Sequence, residues 1–252
     1  MLREWLQHLM TPCPPYLRRL GYLKQLIGMQ ARHRRCREAW APHLQHTRDM
    51  ILAAADACSS HDKVVILGSG LLLDVPVEEL SERFKTVELV DILHMPQVRH
   101  AVSGLANVRL LTRDITGVVE PLSRGDIPQP DIADLGVNGA SLVVSCNILS
   151  QLGILPEQLS PGISDRLVAA HLDALAGLGG TVCLITETSH RLMEGETEVE
   201  KSAPLDGNDI PDSLKMRRQC WDWDFAPAPE RHPRYDLIHT VEGFIRSGNA
   251  ET

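Results

Sequence analysis

The residues able to do chemistry sit at the ends of apolar runs. Lys63 to Gly70 reads Lys-Val-Val-Ile-Leu-Gly-Ser-Gly, a β-branched run that stops at a glycine. Gly68 and Gly70 let the backbone turn tightly and bring its N–H groups close to a ligand. A second run, Val87 to Val90, ends on Asp91, twenty-one residues after Gly70. In nucleotide-binding α/β folds a carboxylate at that place accepts hydrogen bonds from both ribose hydroxyls. Three further runs end near Asp114, Asn147 and Glu187. Together these positions imply a pocket for an adenosine-containing cofactor at the carboxyl ends of parallel strands.

Each residue also has a plainer use. Asp91 could cap a following helix, although its spacing from Gly70 favours ribose binding. Asp114, in Asp-Ile-Thr-Gly, suits a helix cap equally well. Asn147 could merely form a turn, and Glu187 could begin a loop. Trp40 lies on an amphipathic stripe, which places it in the core at least as readily as over a ligand. Trp221, Trp223 and Phe225 alternate along one strand, as packing residues do. The eleven histidines form no His-x-x-x-His or Glu-flanked pattern, so His94, His171, His190 and His239 are expected to be structural and no metal is expected. The sequence contains neither a Gly-x-Ser-x-Gly elbow nor a Gly-Lys-[Ser/Thr] phosphate loop, which argues against a hydrolase and a P-loop NTPase.

The elements that would position these residues begin at Lys63. Strands over 64–67, 87–90, 108–111, 141–146 and 181–186 alternate with helices, a pattern that demands a parallel sheet covered on both faces. The helix over 164–178 is expected to close at Gly179-Gly180. The stretch 115–138 should hold a short helix and a loop, and 194–215 an irregular acidic excursion with one short helix at most. Strands near 219–225 and 237–245 are joined by so short a link that they must be antiparallel. The expected fold is α/β: a doubly wound, mostly parallel seven-stranded sheet with a C-terminal antiparallel hairpin and an N-terminal helical extension. Residues 1–59 form the extension and 60–252 the nucleotide-binding domain.

Helices are expected before Thr11, over the stripe Tyr16–Ile27, and from Pro42 to about Cys58. They could serve as a lid, a homodimer surface, a membrane-surface anchor, or plain core packing. Residues 1–48 carry nine Arg/Lys against Glu4 and Glu38, a net of +7; since the whole chain is −8, the remainder is −15. A basic piece on an acidic body could engage an acidic carrier protein, an RNA or anionic lipid. The acidity of the body argues against broad nucleic-acid contact. Hydrophobic content of 43% with 23% charged residues is that of a globular protein, and no apolar run approaches a membrane span. Six cysteines without a Cys-x-x-Cys pair are expected to be reduced, buried thiols in a cytoplasmic protein.

The order of parts over residues ~60–246 resembles the class I S-adenosylmethionine (SAM)-dependent methyltransferases. The turn Leu67-Gly68-Ser69-Gly70 looks like that family's first motif, which wraps the methionine part of SAM. The resemblance makes Asp91, with Ile92, the ribose-binding position; Asp114, with Ile115, the adenine contact; and Cys146-Asn147 the lining of the transfer site. It also accounts for the terminal hairpin, which ordinary NAD-binding domains lack. The sequence departs from the pattern at Ile66, where an acid is usual, and at Leu71-Leu72-Leu73, where a third glycine is usual. The implied activity is methyl transfer to a small molecule, with Asn147 and Glu187 as the polar candidates at the reacting end. The alternatives are a non-catalytic scaffold on the same fold and an NAD(P)-dependent reductase, the latter disfavoured because its fingerprint needs glycine where Leu73 stands.

Overall fold

The computed structural model describes residues 2–126, 128, 135–205 and 207–248. The alternation read from the sequence becomes β1 (Lys63–Leu67), α5 (Val77–Arg83), β2 (Thr86–Asp91), α6 (Pro96–Ala101), β3 (Val108–Thr112), α7 (Val119–Ser123), β4 (Leu142–Cys146), α8 (Ile163–Ala176) and β5 (Thr181–Glu194). Four helices precede them: α1 (Leu2–Met10), α2 (Pro15–Leu20), α3 (Tyr22–Arg35) and α4 (Arg37–Asp56). Strands β6 (Thr197–Ser202), β7 (Arg217–Ala226) and β8 (Asp236–Arg246) complete the chain. The sheet order is β3-β2-β1-β4-β5-β8-β7, parallel from β3 to β5 and antiparallel beyond, with β6 paired to β5.

Period-2 alternation explains why the central strands are apolar throughout. Val64 and Ile66 of β1, and Val144 of β4, face a layer built on Met50, Ile51, Ala54 and Ala55 of α4. Val65, Leu67 and Val143 face the opposite layer, under Leu167, Leu172 and Leu175 of α8. With water excluded from both faces, a polar side chain on β1 or β4 has to find an internal partner. Ser145 does so: its hydroxyl lies 2.9 Å from Nε2 of His171, which α8 buries completely.

Five details differ from the sequence expectation. The sheet has eight strands, because β5 continues to Glu194 and turns through Gly195 (φ +58°) into β6, where an irregular excursion was expected. α8 closes at Gly177 rather than Gly179, with a right-handed cap. The stripe over 16–27 is two helices, broken at Gly21 (φ +97°), which caps α2 and starts α3. Pro42 lies inside α4 instead of in its first turn, because the helix starts at Arg37. The cysteines are free, but Cys220 is exposed on β7. Part of the loop expected over 115–138 lies outside the described residues.

Burial lowers the pKa of His171 to about 4, so this side chain is neutral at neutral pH. Its unfolded counterpart takes up a proton near pH 6.5, so the contribution is present above that pH and is lost as pH falls toward 4. A shift of this size corresponds to about 3 kcal/mol. Denaturant melts should therefore show stability dropping between pH 6.5 and 4. In His171→Gln, which keeps a partner for Ser145 without titrating, that drop should shrink by a comparable amount.

Candidate functional site

Strands β1, β2 and β4 end together, and their ends open onto a cavity of about 970 Å³, at the upper end of the range found for ligand pockets. Gly68 (φ +79°) and Gly70 (φ +53°) form its floor. A Cβ on Gly68 would stand 2.6 Å from Cβ of Ile148 and 2.9 Å from the Cys146 carbonyl oxygen. The turn after β1 and the chain leaving β4 thus approach at a distance only glycine allows. The Gly70 amide donates to Oδ2 of Asp91 at 2.7 Å, and the Leu93 amide reaches Oδ1 at 3.4 Å. Each carboxylate oxygen keeps a lone pair. Burial raises the Asp91 pKa, while the Gly70 amide and nearby His94 counteract part of that rise.

Leu71, Leu72 and Leu73 depart from the usual glycine pattern, and Leu71 and Leu73 line the cavity beside the glycine turn without closing it. Leu71 packs against Leu23 and Ile27 of α3, and Leu73 against the α4 layer. Leu72 takes the left-handed conformation (φ +58°) that a glycine would adopt without strain. Asn147 is the other non-glycine residue in that region (φ +49°), a conformation asparagine tolerates better. Its Nδ2 donates to Oδ2 of Asp74 at 2.8 Å. That bond ties the leucine segment to the end of β4. Oδ1 of Asn147 is buried and has no hydrogen-bond partner among the described residues.

The residues named from the sequence divide into two groups. Gly68, Gly70, Asp91, Ile92, Asp114, Ile115, Cys146, Asn147 and Glu187 all line the one cavity. Leu67 and Ser69 do not: Leu67 faces the α8 layer, and Ser69 is buried with its hydroxyl unpartnered among the described residues. Strand alternation sends Leu67 away from the pocket. Asp114 caps its own loop, one oxygen accepting from the Thr116 amide and hydroxyl and the other from the Val119 amide. The capping reading of Asp114 is therefore realised, and the same residue also forms pocket wall.

The N-terminal helices roof this cavity. Tyr22, Gln25 and Met29 of α3 and Trp40 and His43 of α4 face into it. Trp40 is also core, 1% exposed, with Nε1 donating to the Phe225 carbonyl at 3.0 Å. Beneath the roof lies a cluster of rings. Trp40 meets Trp223 edge-on at 4.9 Å, His43 stacks on Trp223 at 3.9 Å, and His239 stacks on Phe225 at 4.2 Å. Trp223 and Phe225, expected as ordinary packing, line the pocket.

Opposite the glycine turn, the wall is polar. Glu187 is 5% exposed, accepts a hydrogen bond from the Ser150 hydroxyl, and has Oε1 3.5 Å from Nδ1 of His239. Burial pushes the Glu187 pKa up, but His239, Ser150 and His190 together hold it below its ordinary value, so it is an anion at neutral pH. Burial, reinforced by His239, lowers His190 to about 4. Burial likewise lowers His43 to about 3. The sequence reading took His190 and His239 as structural. It missed them because the three groups meet only through the pairing of two strands far apart in sequence. Glu187 lies within β5 rather than at its end, which puts it beside β8 instead of on a loop.

No family model and no curated relative matches this chain. Its strand order carries the last strand between β5 and the penultimate β7, antiparallel to both. The sheet is thus the doubly wound, mostly parallel one with an antiparallel C-terminal hairpin that the resemblance to the class I methyltransferases implies. Solved structures similar to it include the N-methyltransferase NodS from Bradyrhizobium japonicum WM9, at 11% identity and TM-score 0.40, over 81% of this chain and 95% of that one. A DhpI-SAM-HEP complex is similar at 14% identity and TM-score 0.43, over 93% of this chain and 100% of that one. The 1,6-didemethyltoxoflavin-N1-methyltransferase of Burkholderia thailandensis follows at 10% identity and TM-score 0.42, over 94% and 92%.

The approach at Gly68 yields a direct test. Gly68→Ala forces a Cβ into both the left-handed region and the Ile148 side chain, and should lower stability by about 2–4 kcal/mol. Gly70→Ala meets no atom closer than the Gly68 carbonyl oxygen at 3.9 Å, so it should cost about 1 kcal/mol, from backbone strain alone. Urea melts of the two variants check the order.

Proposed function

We propose that the protein is a SAM-dependent methyltransferase acting on a small molecule. The supporting observation is the cavity at the strand ends, where Gly68, Gly70 and Asp91 meet and where Leu71 and Leu73 form part of the wall but leave about 970 Å³ free. The residues present fit SAM. The backbone at Gly68–Gly70 would pass close to its methionine part, Asp91 would accept from the ribose hydroxyls, and Ile92 and Ile115 would flank the adenine. Bound SAM would supply an electrophilic methyl group on its sulfonium.

The chain's own contribution is placement and exclusion of water. Asn147, with Oδ1 unpartnered among the described residues and its side chain held by the Nδ2 bond to Asp74, would orient the reacting end. The rings of Trp40, Trp223 and Phe225 would hold an apolar or planar acceptor, and anionic Glu187 with its imidazole neighbours would anchor the acceptor's polar group. A roofed chamber of this size favours a small molecule over a polymer.

The basic helices support that choice. Five of the cations expected to face an acidic partner serve this chain instead. Arg18 donates to the His8 and Thr11 carbonyls, Arg19 to Ser123, Arg48 to Leu73, and Arg32 and Arg35 pair with Glu230. Fewer charges are then left for an RNA, an acidic carrier protein or anionic lipid. Among the described residues no helix is long and apolar enough to cross a membrane.

Isothermal titration with SAM and S-adenosylhomocysteine checks the proposal. Wild type should bind both, and Asp91→Ala should weaken binding at least tenfold while its circular dichroism stays native. No binding to wild type would return the chain to the non-catalytic use of the fold. Equal binding by Asp91→Ala would remove the ribose assignment.

A further inference from the structure

We propose that Glu187, His190 and His239 form a site for one divalent transition-metal ion of the zinc kind, with its open positions facing the cavity. The site stands on these side chains alone and does not require the methyltransferase reading.

The backbone builds it through a defined irregularity. On a regular strand, residues three apart point to opposite faces. Glu187 pairs with Val241 and His190 with His239, while a register shift between Glu187 and Ser189 leaves Thr188 as an extra residue. Such a bulge re-aims the side chains that follow it. Glu187 and His190 therefore emerge on one face, together with His239 and Val241 across the ladder. Without the extra residue His190 would point away from the cavity.

The atoms are arranged as donors lacking an acceptor. One oxygen of Glu187, one nitrogen of His190 and one of His239 all lie within 4.8 Å of one another. Nε2 of His190 and Nδ1 of His239 are buried and have no hydrogen-bond partner among the described residues. His239 is 5% exposed, so water does not readily reach that nitrogen. A buried polar atom left unpaired costs free energy, and an unbound ion is a standard reason for finding two side by side.

Their supports look like those of ligands. Ser150 holds the second Glu187 oxygen, the two imidazoles stack at 3.9 Å, and Phe225 stacks on His239 from the other side. Groups that fix the orientation of metal-binding side chains act in this way. Two imidazoles and one carboxylate are a common donor set for catalytic zinc, and also for iron(II), and both leave coordination positions open. Bound to zinc, three such donors stand roughly 3.3 Å apart, from metal–ligand distances of ~2.0–2.2 Å. His239 and Glu187 are already 3.5 Å apart, and no donor pair is more than 4.8 Å apart, so loading requires only a short closure onto the metal. All three side chains line the cavity, so the open positions would take a donor atom of its occupant, such as a phenol or thiol.

The test uses full-length protein in a Cys220→Ser background, which removes the exposed thiol as a competitor. Metal-stripped protein is titrated with zinc alone, and with cobalt(II) alone to read the ligands by visible absorption, both in the absence of SAM. The expected result is one equivalent bound, a rise in melting temperature, and a cobalt spectrum of nitrogen–oxygen ligation. Loss of the site is expected in His190→Ala and in His239→Gln. Native circular dichroism shows that each variant is folded, and Glu187→Gln serves if either is not. No bound metal in wild type, an unchanged stoichiometry in the folded variants, or a thiolate-to-cobalt band would overturn the proposal. Failure to bind SAM would leave the result untouched, so the two readings fail separately.

Discussion

The bond from the Gly70 amide to the Asp91 carboxylate sets the shape of the glycine-turn end of the cavity. It links the turn after β1 to the tip of β2 across 2.7 Å, in a place where burial makes an unpaired carboxylate costly. Holding Asp91 there keeps the turn open and aims both its oxygens at the cavity edge. The close approach at Gly68 then locks the end of β4 against the same turn. A small set of contacts therefore fixes three strand ends at once, and Leu71 and Leu73 after Gly70 pack against the α3 and α4 layers while bordering the cavity.

The other end of the cavity depends on a different device. A single extra residue in β5 carries Glu187 and His190 to the face that β7 and β8 fill with Trp223, His239 and Val241. The aromatic cluster beneath α4 exists because this face is wide enough for rings and roofed by another ring, Trp40. Desolvation keeps His43 and His190 neutral. An anionic carboxylate, neutral imidazoles and apolar rings thus share one water-poor chamber.

The N-terminal helices are part of both ends. α4 supplies core to the sheet and roof to the pocket, while α3 closes the side above Leu71. Of their cations, conspicuous in the sequence, Arg18, Arg19 and Arg48 are tethered to backbone carbonyls and Arg32 and Arg35 share Glu230 of the same chain. Charge counting along a sequence registers cations but not the internal acceptors that the fold brings to them.

What the sequence determined by itself is the sheet and most of the glycine-turn end of the cavity. Apolar runs at Val64–Leu67 and Leu142–Cys146, each ending at glycine or asparagine, are enough to specify buried parallel strands whose tips converge, because strand period and burial are local properties. The spacing from Gly70 to Asp91 was legible for the same reason, since one strand–helix–strand unit has a nearly fixed length. Only the tertiary structure decided that Leu71–Leu73 leave the pocket open, that Asp114 caps its loop while forming pocket wall, and that Glu187, His190 and His239 face one another. Those facts depend on strand register and on one bulge, and a one-residue shift in register sends a side chain to the opposite face without leaving a trace in composition or periodicity.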